Sequence, residues 1–202
     1  MIPQITINVM DTMWPVLVLC SVVFVTFRLT YLFNNKEKFV LYKELINFTF
    51  IIYILLLFEI VTSTDYFAFG NNFVPFKEMF RYPLDSPYFL KNVIGNMALF
   101  VPLGYFVSYF CKINKFYLIM LVTALVSLTI EIIQSRIGRA FDIDDIMLNV
   151  AGGLVGYFIY KISDRLLEKY PDTFKNSLFL NLVFLIIMFL MVLIILRVYE
   201  VI

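Results

Sequence analysis

The stretch Glu131 to Gly156, EIIQSRIGRAFDIDDIMLNVAGGLVG, is the densest cluster of polar residues in the chain. It gathers carboxylates, amides, two arginines and several glycines between two strongly apolar runs. Charges inside apolar segments of helical length are expensive unless they have partners or a function. The stretch therefore predicts two membrane helices joined by a tight turn, with their polar faces meeting near one membrane face.

The composition around this stretch indicates an integral membrane protein. Of 202 residues, 62% are hydrophobic and 18% aromatic, whereas soluble domains have about 45–50% apolar residues. Several apolar runs approach the roughly 20 residues that cross a bilayer as helix. We predict an all-α, polytopic helical bundle forming a single transmembrane domain over residues 1–202. The predicted spans lie at about 13–33, 46–64, 91–111, 116–134, 142–162 and 178–196, with an interfacial or re-entrant aromatic segment at 65–90.

Several kinds of site are excluded by composition. The net charge is +1 and no block of lysine or arginine occurs, which argues against a nucleic-acid partner. The chain has no histidine and only two cysteines, which removes Cys/His metal sites and histidine-based triads. A divalent cation would have to be held by oxygen ligands. Glu131, Asp142 and Asp145 are the residues that would supply them.

The distribution of basic residues predicts the orientation, because cytoplasmic loops of membrane proteins are enriched in lysine and arginine. Segments on one side of the six predicted spans carry nine such residues: Lys36, Lys38, Lys43, Lys112, Lys115, Lys161, Arg165, Lys169 and Lys175. Segments on the other side carry five: Lys77, Arg81, Lys91, Arg136 and Arg139. We therefore expect both termini and the polar stretch to lie on the extracellular side of a bacterial plasma membrane.

Helical spacing predicts which polar side chains share a face. Glu131 and Gln134 are three residues apart at the end of the fourth span. Asp142, Asp145 and Asn149 follow an i, i+3, i+7 pattern at the start of the fifth. These five residues are predicted to face a shared polar pocket. The alternative is a structural network in which the same groups neutralise one another and hold the helices together.

Neighbouring residues extend this prediction. Asn92 and Asn96 lie on one face of the third span, either as part of the pocket or as hydrogen-bonding contacts between helices. Arg136 and Arg139 are predicted at the lip of the pocket, where an arginine fork suits a lipid phosphate.

The start of the fifth span carries two further predictions. Asp142 could cap its first turn, and Gly152 and Gly156 form a G-x-x-x-G pair that allows close helix contact. Asp144 is predicted to point away from the pocket, so Asp144→Asn is expected to be the mildest aspartate substitution.

Four motifs together resemble the VanZ-like family of bacterial membrane proteins. They are PF at Pro75 and Phe76, N-x-x-x-N-x-x-L-F-x-P-L-G from Asn92 to Gly104, E-x-x-Q from Glu131 to Gln134, and R-x-x-D-x-x-D-x-x-x-N-x-x-G from Arg139 to Gly152. The resemblance covers roughly Val74 to Tyr160. The first two spans and the last read as generic membrane helices. The family's polar positions fall on Asn92, Asn96, Glu131, Gln134, Arg139, Asp142, Asp145 and Asn149 here.

The resemblance implies a cell-envelope protein of the type linked to low-level teicoplanin resistance. Our leading hypothesis is that its outward polar pocket binds a membrane lipid, namely a lipid-linked envelope molecule or glycolipid. A second hypothesis is a membrane-embedded hydrolase or transferase that acts on a lipid phosphate or pyrophosphate, with Glu131 or Asp145 as base or metal ligand. A small transporter ranks third, because the last span offers no polar path.

Overall fold

The computed structural model describes residues 2–62, 70–83, 85–169, 176, 178–182 and 185–186. Regular structure in these residues is helical, and the one bridge of β type joins Asn72 to Asp142 as an isolated pair within the described part of the chain. The elements in chain order are α1 (Ile2–Asn35), α2 (Leu41–Thr62), a single turn α3 (Pro87–Phe89), a π-helical turn (Leu90–Ile94), α4 (Gly95–Cys111), α5 (Phe116–Arg136) and α6 (Ile143–Lys169).

Five stretches of helix among the described residues are long and apolar enough to cross a membrane: Met13–Asn35, Leu41–Thr62, Pro87–Cys111, Phe116–Arg136 and Ile143–Lys169. The prediction of an all-α, multi-pass membrane protein is confirmed. The predicted sixth span, 178–196, falls largely outside the described residues, of which 178–182 and 185–186 are helical. The fifth span is longer than predicted, because α6 continues through a more polar final two turns to Lys169.

The helices belong to two compact units. The first comprises Met1–Ile60 and Leu166–Ile202, and the second comprises Val61–Arg165. Within the first unit, Arg28 on α1 holds Glu44 on α2 through two hydrogen bonds of 2.6 and 3.0 Å. Two parallel bonds of this kind fix the orientation of both side chains. The pair therefore ties α1 to α2.

Helix α5 in the second unit has its polar side inward. Thr123, Ser127, Glu131 and Gln134 are buried along one face together with Ile119. The opposite face exposes Leu121, Leu125, Leu128 and Ile132. A helix in water would have the reverse arrangement, whereas lipid accepts the apolar face. The buried Thr123 hydroxyl donates to the Ile119 carbonyl of its own helix, and Ser127, Glu131 and Gln134 bond to other segments. The polar cluster therefore lies inside the bundle.

Helices α4 and α6 pack through their glycines. A Cβ atom on Gly152 would lie 2.0 Å from the backbone oxygen of Met97, and one on Gly156 would lie 2.0 Å from that of Val101. Both contacts advance by four residues in the same direction, so the two helices run parallel. The close helix contact predicted from the G-x-x-x-G pair is confirmed. Because the helices are parallel, the first turns of α4 and α6 lie at the same end, beside the last turns of α5.

Candidate functional site

The turn between α5 and α6 begins with a glycine-dependent helix end. Gly138, which follows the C-cap residue Ile137, has φ +91°, a conformation that side-chain-bearing residues rarely adopt. The Arg139 amide then donates to the Gln134 carbonyl at 3.0 Å, as in the common glycine-terminated helix end. This geometry brings Arg139 back towards the last turns of α5.

Asp142 caps the start of α6. Its carboxylate accepts a hydrogen bond from the Asp144 amide at 2.9 Å, as the predicted cap requires. The same oxygen accepts a bond from the side chain of Asn72 at 2.8 Å. The Asn72 backbone also pairs with Phe141 and Ile143. The cap residue therefore also anchors the segment that carries Asn72.

Three amide side chains connect the elements around the cluster. Asn96 on α4 donates to the carboxylate of Asp145 on α6. Asn149 on α6 donates to the Ser127 hydroxyl on α5 at 2.8 Å. The Gln134 side chain donates to the backbone oxygen of Val61 at 3.2 Å, at the end of α2. These bonds hold helices together, as the structural-network alternative expects.

The carboxylates form an electrostatically linked group beside one arginine. Glu131 is 1% exposed and accepts a hydrogen bond from the Asp142 amide at 2.9 Å. Asp145 interacts electrostatically with Glu131 and Asp142, and Arg139 interacts with both Glu131 and Asp145. Like charges at close range repel, so the positive charge of Arg139 stabilises the group.

The remaining predicted site residues lie at the edge of this group of carboxylates. Arg139 is half-buried and makes no direct ion pair with another described residue. Arg136 is exposed in the last turn of α5. Asn92 is half-buried in the π-helical turn, and its side chain makes no hydrogen bond to another described residue. In contrast, no buried side-chain nitrogen or oxygen in the described part of the chain lacks a partner.

The structure corrects one feature of the predicted stripe and gives the partners of another residue, Asp144. Asp142 does not share a helical stripe with Asp145 and Asn149, because α6 begins at Ile143 and Asp142 precedes it as the cap. Asp144 is 1% exposed, and its carboxylate accepts bonds from the backbone amides of Phe76, Glu78 and Met79. It does face a different neighbour from Asp145. However, that neighbour is the aromatic segment, not lipid or water.

Sequence reasoning missed three residues of the network: Asn72, Ser127 and Asp144. Ser127 lies four residues before Glu131, so the polar stripe of α5 could have identified it. Asn72 and Asp144 are joined to partners about 70 positions away in sequence. Local periodicity carries no signal for contacts of that separation.

The three carboxylates predicted as metal ligands can be checked, since all of them lie in the described part of the chain. Among the described residues, no three histidine, cysteine, aspartate or glutamate side chains are grouped so that they could hold a metal ion. Glu131, Asp142 and Asp145 thus do not form a three-carboxylate cage in this structure.

Asp142 is expected to give the fold a dependence on pH. Burial raises the pKa of its carboxyl group, although the Asp144 amide and the Asn72 side chain oppose the rise by hydrogen bonding. The folded state then holds the proton more tightly than the unfolded state. Stability from this group is full below the ordinary aspartate pKa of about 3.9 and is lost as pH rises to the raised pKa. Asp142→Asn should flatten this decline in thermal unfolding curves measured across that window.

The matched variant for this test is Asp142→Ala. It removes the cap as well as the charge, so its curve should be equally flat and it should be about 1 kcal/mol less stable than Asp142→Asn at every pH. Asparagine keeps an oxygen for the Asp144 amide and should cap nearly as well. If Asp142→Asn retains the wild-type slope, another group causes the pH dependence.

A family model described as VanZ/LLP1 matches residues 14–167, well over half of the chain. The chain belongs to the VanZ/LLP1 family. The match begins before Val74, so the first two membrane helices lie inside the VanZ/LLP1 region and are not generic additions to it. The whole polar cluster, from Asn92 to Asn149, lies inside it as well. Comparisons with curated proteins and with solved structures give no match.

Proposed function

We propose that this VanZ/LLP1 protein resides in a bacterial plasma membrane and binds the headgroup of a lipid-linked envelope molecule or glycolipid at its polar cluster. Binding on the outer face would contribute to glycopeptide resistance by changing how teicoplanin engages the cell surface. The excess of lysine and arginine in the opposite set of loops, nine against five, supports this orientation. The termini would then also lie outside.

The environment of the Arg139 guanidinium is the main observation in support of this proposal. Its guanidinium is half-buried beside Glu131 and Asp145 and interacts with both electrostatically, yet it forms no direct ion pair with a described residue. Neighbouring carboxylates hold the cation in place without occupying its fork of donors. A phosphate or carboxylate of a headgroup can accept two parallel hydrogen bonds from such a fork.

Other groups at the edge suit the same ligand. The Asn92 amide has hydrogen-bonding capacity that no described residue uses, and Arg136 is exposed three positions before Arg139 in sequence. In contrast, Glu131, Gln134, Asp145 and Asn149 are committed to bonds between elements. We therefore divide the cluster into groups that contact the ligand and groups that position them: Asn92, Arg136 and Arg139 contact it, and the buried network holds Arg139.

Arg139→Ala should weaken retention of polyprenyl phosphate by about tenfold, since loss of one charge-assisted contact costs about 1.4 kcal/mol. The measurement is binding of the labelled lipid to the protein in nanodiscs. In a susceptible bacterial host, the same variant should lose teicoplanin protection at matched expression. Arg165→Ala is the control, because Arg165 is exposed near the other end of α6. If Arg139→Ala, Glu131→Gln and Asp145→Asn all keep wild-type binding and protection, the cluster is not the ligand site.

A hydrolase or transferase acting on a lipid phosphate is the second candidate. The observation in its favour is that two carboxylates, Glu131 and Asp145, interact with each other and with Arg139. Acid–base groups next to a phosphate-binding cation are the components that phosphate ester chemistry uses. Under the binding proposal, a panel of labelled polyprenyl phosphates and pyrophosphates remains intact after incubation with the protein. Turnover that Asp145→Asn abolishes would establish the enzyme instead.

A further inference from the structure

Residues 73–81, FVPFKEMFR, form an aromatic–basic loop with an unusually exposed apolar surface. Phe73, Val74, Phe76 and Phe80 are 64, 59, 51 and 74% exposed. Lys77 and Arg81 are also exposed, and Arg81 bonds to Glu78 at 2.8 Å. With two basic residues and one acidic residue, the loop has a net charge of +1. A surface of this kind is costly in water and suits the headgroup layer of a membrane.

The loop is fixed to the start of α6. Ahead of it, Asn72 pairs through its backbone with Phe141 and Ile143. The Phe73 ring stacks on Phe141 with centroids 5.3 Å apart. Since α6 is a membrane helix that begins at Ile143, the loop lies at the membrane face where that helix enters. The next membrane helix along the chain begins only a few residues after the loop, at Pro87.

Asp144 determines the shape of the loop. Its carboxylate accepts the Phe76 amide on one oxygen at 2.6 Å and the Glu78 and Met79 amides on the other at 2.7 and 3.0 Å. Phe76 has φ +67°, a left-handed conformation that is unfavourable for a residue with a bulky side chain. Bonds from three amides within four consecutive residues to one buried carboxylate offset that strain. In the described part of the chain, no other side chain accepts a bond from these three amides.

We propose that residues 73–81 are a contact site for anionic phospholipid headgroups and that Asp144 is the positioning residue that presents it. The aromatic rings enter the headgroup layer, and Lys77 and Arg81 meet lipid phosphates. This site concerns the surrounding bilayer and is independent of the ligand proposed for the polar cluster. Its failure would leave that function standing, and the reverse also holds.

The test places a fluorophore on the loop. Trp14→Phe removes the chain's single tryptophan, and Phe80→Trp then reports on the loop alone. In nanodiscs, we expect strong quenching by lipids brominated near the headgroup and weak quenching by aqueous acrylamide. Brominated phosphatidylglycerol should quench at lower mole fraction than brominated phosphatidylcholine, and Lys77→Gln should reduce that preference by up to about fivefold. A tryptophan that acrylamide reaches and that brominated lipid does not quench would overturn the proposal.

Asp144→Asn added to this reporter should at least halve lipid quenching while the helical content stays at the wild-type level. Asparagine has one acceptor oxygen where aspartate has two, so it cannot hold all three amides with the same geometry. Asp164→Asn, a half-buried aspartate near the other end of α6, is the matched control and should not change quenching. Unchanged quenching in Asp144→Asn, or a variant that does not fold, would overturn the positioning role. The Lys77→Gln measurement stands in either case, because it leaves α6 intact.

Discussion

Replacing Gly152 with alanine should destabilise the second unit by about 3 kcal/mol, the upper part of the range for overpacked sites. The added Cβ would lie 2.0 Å from the backbone oxygen of Met97, and that atom cannot rotate away as a flexible side chain could. Alanine favours helix over glycine by about 1 kcal/mol, but the clash is the larger effect. Because α4 and α6 must separate, the Asn96–Asp145 bond between their first turns should also be lost.

The measurement is the free energy of unfolding by titration with a denaturing detergent, together with the monodisperse fraction after purification. Gly95→Ala is the matched control on α4, since a Cβ there comes no closer than 3.6 Å to another atom. It should be neutral or stabilising by up to about 1 kcal/mol. A Gly152→Ala protein as stable as wild type would show that α4 and α6 do not pack at this distance.

Glu131→Ala should cost about 3 kcal/mol of stability, and Glu131→Gln less than about 1. Alanine leaves the Asp142 amide without its acceptor, at about 1–3 kcal/mol, and leaves space at a buried position. Glutamine keeps an oxygen in reach of that amide and nearly the same volume. It removes the negative charge, however, and with it part of the field that holds Arg139. Glu131→Gln should therefore fold normally and yet bind polyprenyl phosphate more weakly.

Ile132→Ala controls for helix α5 itself, because Ile132 is 49% exposed beside the buried Glu131. It should change neither detergent resistance nor lipid binding by more than a small amount. Equal stability of Glu131→Ala and Glu131→Gln would show that the bond to Asp142 contributes little. Full binding by Glu131→Gln would remove Glu131 from the group that positions Arg139.

Glu131→Gln and Arg139→Ala also distinguish a purely structural polar network from a ligand-binding site. A purely structural network predicts that the free energy of unfolding and lipid binding fall together in the Glu131 and Arg139 variants. A binding site supported by a network predicts that Glu131→Gln and Arg139→Ala lose binding at nearly full stability. Arg139 suits this test because it forms no direct ion pair with a described residue that its removal would break.

Much of the site was readable because membrane helices impose simple rules. Apolar run length predicted the helical class, and the three-residue spacing of Glu131 and Gln134 predicted that both face inward. Both are buried on α5. The spacing of Gly152 and Gly156 predicted close packing, which is found against α4. These features depend only on residues within a few turns of one helix.

The partners of Asp144 were not readable from the sequence. Helical phase separates Asp144 from Asp145, but it does not indicate which part of the chain Asp144 faces. Its actual partners are the amides of residues 76, 78 and 79. Backbone amides are present at almost every position, so no residue type marks those that a distant carboxylate will bind. The expectation that Asp144→Asn is the mildest aspartate change loses its basis.

By itself, the sequence determined the membrane class, the helix faces and the family to which this chain belongs. Those properties follow from composition, from periodicity and from motifs spaced within single helices. Tertiary structure alone decided which polar groups bond to one another and which remain at the edge. Of the three residues predicted to share a stripe, Asp142 caps α6, Asp145 bonds to α4 and Asn149 bonds to α5. The physical reason is that a hydrogen bond requires its partners within about 3 Å, and chain folding sets that distance for residues far apart in sequence.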